Sequence, residues 1–125
     1  MSVKITAIKT RKFLPPKDDL LSLIKESFSG PSEALAKEGK VKPKEKSVIV
    51  FTSKIISIWQ GRCIKISSKI KKDDLVKKEA DFYIDREDVP NQLVMLTIKD
   101  DILIPTAGID ESNANGYYIL WPKNP

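Results

Sequence analysis

IPTAGIDESNANGYYILWPKNP, residues 104–125, is the stretch around which we expect the chain to be organised. The apolar residues 102–104 predict the end of a strand before it, and residues 117–121 predict a second strand. The loop between them carries adjacent carboxylates, Asp110 and Glu111, followed by Ser112 and Asn113. Oxygen ligands where a strand meets a loop suit a hard cation such as Mg²⁺ or Mn²⁺. An acidic surface turn is the alternative, because Asp, Asn and Gly are ordinary turn residues.

Length and composition predict one soluble domain, residues 1–125. The chain has 125 residues, of which 41% are hydrophobic and 31% charged, as is typical of a globular domain with its own core. Its apolar runs are too short to span a bilayer, and its N-terminus lacks the apolar segment of a signal peptide. We therefore expect a cytoplasmic protein with no membrane partner.

The chain has one cysteine and no histidine, and this limits the kinds of catalytic and metal site that it can form. Cys63 alone cannot form an intrachain disulfide or a cysteine-based zinc site. The lack of histidine excludes Ser-His and Cys-His nucleophile pairs and every His-ligated metal site. The nucleotide-binding fingerprints GxxxxGK(S/T) and GxGxxG do not occur either.

The charges are divided unequally along the chain. Residues 1–78 hold 19 Lys+Arg against 8 Asp+Glu, a net +11, and residues 79–125 hold 3 against 9, a net −6. A basic and an acidic half that fold together around a phosphate and its metal would explain this, and so would a solvated lysine-rich surface. Nucleic-acid binding is a third, weaker interpretation, because no aromatic residue lies within the lysine-rich segments to stack on bases.

The first part of the chain predicts a strand at residues 3–9, a loop at residues 11–17 and then a helix. Pro15-Pro16 disfavours a helix in the loop, and Asp18 is a good N-cap. Apolar residues at helical spacing follow as far as Phe28, and Gly30 and Pro31 end the helix. Residues 31–46 predict a basic connector with a short helix at residues 32–38.

The sequence SVIVFTS, residues 47–53, predicts a buried strand because its apolar run is continuous. Ser53 and Lys54 follow it, and a hydroxyl and a lysine at the end of a strand are well placed to meet a phosphate. A strand-end turn with a solvated lysine is the alternative. Residues 55–59 predict a helical turn or more strand, and residues 62–66 predict a strand in which Cys63 is buried.

The remaining segments complete a mixed pattern. A helix is expected from about Asp73 to residue 78, and residues 84–90 predict an acidic connection. Residues 93–98 and 102–104 predict a hairpin that turns at Asp100-Asp101. The fold class is therefore α/β in the mixed α+β sense. We expect one compact domain with a central mixed sheet and two or three helices.

The order of these segments resembles the N-terminal half of coenzyme F420-0:L-glutamate ligase, the F420 gamma-glutamyl ligase family. Four stretches carry the resemblance over most of the chain: RKFLPPKDDLLSLI, VIVFTSKIISIWQGR, LVMLTIKDDILIPTAGIDESN and YYILWPKNP. The most specific part is AGIDESN, residues 107–113.

The resemblance implies GTP and a divalent metal, Mg²⁺ or Mn²⁺, used to join glutamate to a deazaflavin coenzyme precursor through an acyl phosphate. Asp110 would be a metal ligand and Asn113 a nucleotide contact, with Glu111 and Ser112 in the same motif. Ser53 falls at a nucleotide-contacting position, with Lys54 beside it. The nucleotide-contacting opening loop would comprise Phe13, Leu14, Pro15 and Pro16.

The chain departs from the family pattern in three places. A lysine is expected where Ile58 stands, and Lys54 lies on a neighbouring position. Lys99-Asp100-Asp101 replaces the histidine-bearing approach to the acidic motif. The family also has a second half, which supplies another metal-binding Asp and Thr, and this chain stops at Pro125, where that half would begin.

Two function classes follow. The first is a ligase or its N-terminal domain; the second is a non-catalytic, ligase-like module that binds a nucleotide, an anionic ligand or a protein partner. The resemblance also implies a homo-oligomer, a dimer, with residues 117–121 at or near the contact. Alternatively, Trp121 packs back into its own core.

Overall fold

The computed structural model describes residues 4–29 and 43–124. These residues form three helices, five short strands and three 3₁₀ turns. The helices are α1 (Leu20–Phe28), α2 (Ser53–Trp59) and α3 (Lys72–Glu79). The strands are β1 (Cys63–Lys65), β2 (Phe82–Ile84), β3 (Leu96–Lys99), β4 (Ile102–Leu103) and β5 (Tyr117–Ile119). The 3₁₀ turns are Arg86–Asp88, Pro90–Gln92 and Pro105–Gly108.

The strands pair in two small antiparallel sheets. β1 pairs with β5, so that Cys63 lies opposite Ile119. β3 lies between β2 and β4 in the second sheet, and the hairpin predicted around Asp100-Asp101 is its β3–β4 pair. The predicted α+β class is confirmed, although two antiparallel sheets stand where one central mixed sheet was expected.

The larger core combines side chains from α3, from the segments around β3 and β5, and from the 3₁₀ turn at residues 105–108. Its buried side chains are Val76, Met95, Ala107, Ile109, Tyr118 and Leu120. The side chain of Thr97 holds the 3₁₀ turn at residues 105–108 against this core. It accepts a hydrogen bond from the Ala107 N–H at 2.8 Å and donates one to the Ile104 carbonyl oxygen. This turn brings the chain from the hairpin to Asp110.

Two predicted strands are wrong over the residues described. Residues 4–10 and 47–52 form no strand, and Val48 and Val50 are 86% and 84% exposed. An apolar run becomes a strand only where a neighbouring strand takes its backbone hydrogen bonds, and no described strand lies beside either segment. The helical alternative for residues 55–59 is confirmed, and α2 begins earlier, at Ser53.

α1 begins one residue later than predicted. Asp19, not Asp18, is the N-cap, and its carboxylate accepts hydrogen bonds from the N–H groups of Leu21 and Ser22 at 3.2 Å. Asp18 instead pairs with Arg11 at 2.8 Å. The end of the helix at Ser29 agrees with the prediction. The short helix predicted at residues 32–38 lies outside the described residues.

The strands predicted at residues 62–66 and 117–121 are confirmed as β1 and β5, and the helix predicted near Asp73 is α3. Cys63 is half-buried rather than buried. Among the described residues, no helix has both the length and the apolar character that crossing a membrane requires.

Candidate functional site

The backbone of Asp110 is hydrogen-bonded to β5, and its side chain is half-buried. Its N–H donates to the Ile119 carbonyl at 2.9 Å, and its own carbonyl accepts from the Ile119 N–H at 2.7 Å. Its carboxylate oxygen Oδ1 accepts hydrogen bonds from the Ser112 N–H at 2.8 Å and from the Ser112 hydroxyl at 2.7 Å. β5 therefore holds the acidic loop, and Ser112 orients the carboxylate.

Lys54 joins the acidic loop to the start of α2. Its ammonium forms an ion pair with the other carboxylate oxygen of Asp110 and donates a hydrogen bond to the Ser112 carbonyl oxygen at 2.9 Å. Burial alone would raise the pKa of Asp110, but the hydrogen bonds from Lys54 and Ser112 outweigh it and hold this pKa below its usual value. Asp110 is therefore a carboxylate at neutral pH.

A small apolar cluster lies next to this contact. Ile58, one helical turn after Lys54, is buried together with Ala114 and Ile119, and Phe13 and Cys63 pack against them. Position 58, where the resemblance leads one to expect a lysine, thus faces the core. The lysine that reaches the acidic loop in this chain stands one turn earlier on the same helix face.

The opening loop reaches the same region through Phe13. Its neighbour Leu14 donates a backbone hydrogen bond to Asp18 at 3.1 Å, and the Arg11 guanidinium lies over the Phe13 ring at 5.8 Å. Leu14 and Pro16 are exposed, and Pro15 is half-buried. The loop is therefore anchored at Phe13, and its following residues lie at or near the surface.

Ser53 and Asn113 are each adjacent in sequence to a residue of the central contact. Ser53 is the first residue of α2 and precedes Lys54, and Asn113 follows Ser112 with a left-handed φ of 54°. Both are exposed. The structure thus brings the segments of Ser53 and Asn113 together at Lys54, while the ligand contacts assigned to these two side chains stay predictions.

Sequence reasoning missed the partner of Glu111. Lys72, the first residue of α3, donates to the Glu111 carboxylate at 3.0 Å. A lysine at the start of a predicted helix is a weak signal, because surface lysines are common. With both carboxylates of the motif paired to lysines, no group of three His, Cys, Asp or Glu side chains in the described parts of the chain is arranged to hold a metal ion.

A shallow pocket of about 470 Å³ lies apart from Asp110, between the opening loop and the end of α2. Lys17, Asp18, Asp19 and Trp59 line it. Asp18 forms an ion pair with Arg11, and Asp19 caps the N-terminus of α1. Of the described residues named as site candidates from the sequence, Lys54, Asp110 and Ser112 are the ones whose polar groups contact one another.

Comparison with known proteins gives one match. The family model described as F420-0:gamma-glutamyl ligase matches residues 8–125. No curated protein and no solved structure matches the chain significantly. The matched range includes the opening loop, α2 and the acidic loop, which carried the resemblance in the sequence. The chain belongs to the F420-0:gamma-glutamyl ligase family.

Proposed function

We propose that this chain binds GTP and a divalent cation, Mg²⁺ or Mn²⁺, for the addition of glutamate to a deazaflavin coenzyme precursor. Family membership supports the type of reaction. The observation that carries the proposal for this chain is the contact of Lys54 with Asp110 and Ser112. It joins the two motifs that the resemblance assigns to the nucleotide and the metal.

The reaction has two steps. A carboxylate oxygen of the precursor attacks the γ-phosphorus of GTP, and GDP leaves. The glutamate amine then attacks the acyl carbon of the acyl phosphate, an amide forms, and inorganic phosphate leaves. Negative charge on the transferring phosphoryl group must be compensated, so fixed positive charges beside it lower the barrier.

Lys54 is the residue suited to meet a phosphate oxygen. Its ammonium is a compact charge on a flexible stem, and about a third of its side chain is exposed. It already bonds two oxygen acceptors, Asp110 and the Ser112 carbonyl. In the proposed complex, Lys54 moves to the phosphate, and Phe13 keeps the opening loop in place so that Leu14, Pro15 and Pro16 contact the nucleotide.

Asp110 and Ser112 fit one side of a hard-cation site. A carboxylate oxygen and a carbonyl oxygen face one positive charge, the Lys54 ammonium, and these are the ligand types that Mg²⁺ and Mn²⁺ prefer. Asp110 would therefore hold the metal, with the Ser112 oxygen beside it. A metal bound there supplies charge that draws electron density from the phosphoryl group.

A non-catalytic binding module is the second candidate. It is favoured by the shortage of metal ligands at the contact: among the described residues no three potential metal ligands cluster, and Glu111 is held by Lys72. Such a module would bind a nucleotide, another anionic ligand or a protein partner without forming an amide bond.

Mass spectrometry of glutamate addition tests the proposal. The full chain is incubated with precursor, glutamate, GTP and Mg²⁺, and binding of GTP is measured in parallel by calorimetry. We expect Lys54→Met to weaken GTP binding about tenfold, while Lys78→Met, an exposed lysine of α3, leaves it unchanged. Product that depends on Lys54 supports the ligase. Lys54-dependent binding without product supports the module, and the absence of any GTP binding contradicts the proposal that this chain binds GTP.

A further inference from the structure

The turn that leads the chain to Asp110 is left-handed. Thr106, Ala107 and Gly108 follow one another with φ values of 53°, 49° and 68°. In this conformation the Cβ of an L-residue lies too close to the following carbonyl oxygen, and a β-branched side chain such as that of Thr106 is rare there. Glycine has no Cβ, so the residues that need support from the rest of the fold are Thr106 and Ala107.

β3 and the residue before it, Met95, supply that support. The Met95 carbonyl oxygen accepts a hydrogen bond from the Thr106 N–H at 2.9 Å. The Thr97 carbonyl oxygen accepts one from the Ile104 N–H at 3.0 Å. The Thr97 hydroxyl adds two bonds, because it accepts from the Ala107 N–H at 2.8 Å and donates to the Ile104 carbonyl oxygen. The other groups in this set belong to the backbone, so Thr97 is the residue whose side chain can be changed to test the support.

The Thr97 hydroxyl lies where solvent does not reach. Thr97 is 1% exposed and Ala107 is 0% exposed. A buried polar group that loses its partner keeps the full cost of its lost hydration. Without the hydroxyl, the Ala107 N–H and the Ile104 carbonyl oxygen would lose these bonds, and the turn would have to move away from β3 to bring them to water.

Movement of the turn would reach Asp110 within three residues. The Ile109 N–H donates to the Thr106 carbonyl oxygen at 2.9 Å, and the Ile109 side chain is 4% exposed. The next residue, Asp110, exchanges two backbone hydrogen bonds with Ile119 of β5. The backbone from Ala107 to Asp110 is therefore held at both ends, and its direction sets where the Asp110 carboxylate points.

Trp121 fixes the turn at a further point. It lies so close to Gly108 that a Cβ there would be 2.5 Å from the Cε3 atom of the indole. Trp121 thus packs on its own chain, and Tyr118, Ile119 and Leu120 are buried. The dimer that the resemblance implies, with residues 117–121 at or near the contact, stays a prediction.

We propose that Thr97 is a positioning residue, whose hydroxyl holds the left-handed turn so that the Asp110 carboxylate meets Lys54 and Ser112. This inference rests on the proposed function, in which Asp110 holds the cation. Thr97 contacts neither Lys54 nor the carboxylate and acts through the backbone of the turn. A ligand must be held within about 0.5 Å of its binding position to be effective, so the direction of that backbone decides how well Asp110 binds.

A purely structural role for Thr97 is the alternative, and the Ser112 amide distinguishes the two. Its N–H donates to the Asp110 carboxylate at 2.8 Å, so its hydrogen exchange reports where that carboxylate lies. Ser112 is exposed, and exposed loop amides exchange through local opening rather than through global unfolding. A loss of overall stability alone therefore leaves the exchange of this amide unchanged.

Three variants of the full chain test the proposal. Thr97→Val keeps the shape of the side chain without its hydroxyl, and Thr97→Ser keeps the hydroxyl. Leu23→Ala, at a buried residue of α1, is the control for lost stability. NMR measures hydrogen exchange of the Ser112 amide in the metal-free chain, and Mn²⁺ affinity is measured separately in the presence of GTP.

We expect Thr97→Val to remove most of the protection of the Ser112 amide and to weaken Mn²⁺ binding about tenfold or more. Thr97→Ser should restore both, and Leu23→Ala should change neither. If Thr97→Val does not fold, Thr97→Cys, whose thiol is a weaker hydrogen-bonding group, takes its place with the same expected direction of change.

Ser112 exchange or Mn²⁺ affinity that is the same with and without the hydroxyl would overturn the proposal. Equal changes in Leu23→Ala would overturn it too, because lost stability would then explain them. The exchange measurement needs no metal. If Ser112 exchange follows the Thr97 hydroxyl but the unchanged chain does not bind Mn²⁺, the positioning of the Asp110 carboxylate by Thr97 stands and the proposed cation site fails.

Discussion

At the scale of single residues, Lys54 and Ile58 have different surroundings although they stand on one helix. The two lie one helical turn apart, so they project from the same side of α2. Ile58 is 2% exposed in a core cluster, whereas Lys54 reaches the acidic loop. In this chain a lysine therefore stands beside Asp110 one turn before position 58, while position 58 serves the core.

Of the three glycines that the structure describes, Gly108 has the least room for a side chain. A Cβ there would lie 2.5 Å from the Cε3 atom of Trp121, and its φ is +68°. We expect Gly108→Ala to lower the free energy of unfolding by about 3–4 kcal/mol, the sum of a left-handed backbone and overpacking.

Gly116 is the matched control, because its φ is +81° and nothing lies within 4 Å of its Cβ position. Gly116→Ala should cost only about 1–2 kcal/mol. Urea denaturation measures both variants. Equal losses would mean that Trp121 does not pack on Gly108.

At the scale of elements, α1 depends on two carboxylates with different partners. The Arg11 guanidinium holds the pKa of Asp18 well below its usual range. The hydrogen bonds from Ser22 lower the pKa of Asp19. Because both pKa values are lower in the folded chain, the unfolded chain takes up protons first as the pH falls. The stabilisation is therefore complete above the ordinary Asp pKa of about 4 and is lost as the pH drops through the folded-state values.

The corresponding prediction concerns acid denaturation. We expect the urea midpoint to fall steadily below about pH 4, and Asp19→Ala to make that fall shallower because one of the titrating groups is gone. An identical slope for Asp19→Ala would contradict the assigned cap.

Elements whose signals are local could be predicted from the sequence. The β3–β4 hairpin follows from Asp100-Asp101 between apolar runs, and α3 follows from its helical periodicity. Residues 47–52 could not be placed, because whether an apolar run is a strand depends on a distant partner. The assignment of Ser53 and Asp110 to one site came from the family resemblance, and the structure shows that Lys54, the residue after Ser53, contacts the acidic loop. Neither spacing nor composition gives the long-range pair Lys54–Asp110.

At the scale of the whole molecule, ion pairs join the basic and acidic parts of the chain. Lys54 pairs with Asp110, Lys72 with Glu111, Lys77 with Asp85, and Arg62 with Glu79. Each pair takes its cation from residues 1–78 and its anion from residues 79–125. The opposite net charges of the two parts, +11 and −6, are thus partly paired with each other within the fold.

The Arg62–Glu79 pair should matter most for stability. Its atoms lie 2.5 Å apart, its side chains are only 17% and 15% exposed, and Arg62 also donates to the Trp121 carbonyl at 3.1 Å. We expect Glu79→Gln to cost about 1–3 kcal/mol, because a mostly buried guanidinium loses its counter-charge. Glu111→Gln, in a more exposed pair, should cost less than about 1 kcal/mol. Thermal unfolding compares them, and a reversed order would contradict this ranking.

The proposed binding of a divalent cation by Asp110, with the Ser112 oxygen beside it, is tested most directly by paramagnetic broadening by Mn²⁺ in the presence of GTP. The chain contains its own control, the adjacent carboxylates Asp100 and Asp101 in the hairpin turn. We predict that low Mn²⁺ selectively broadens the backbone amide NMR signals of Ser53, Ser112 and Asn113. Asp110→Asn should abolish that broadening. Equal broadening at Asp100-Asp101, or broadening that persists in Asp110→Asn, would contradict the account.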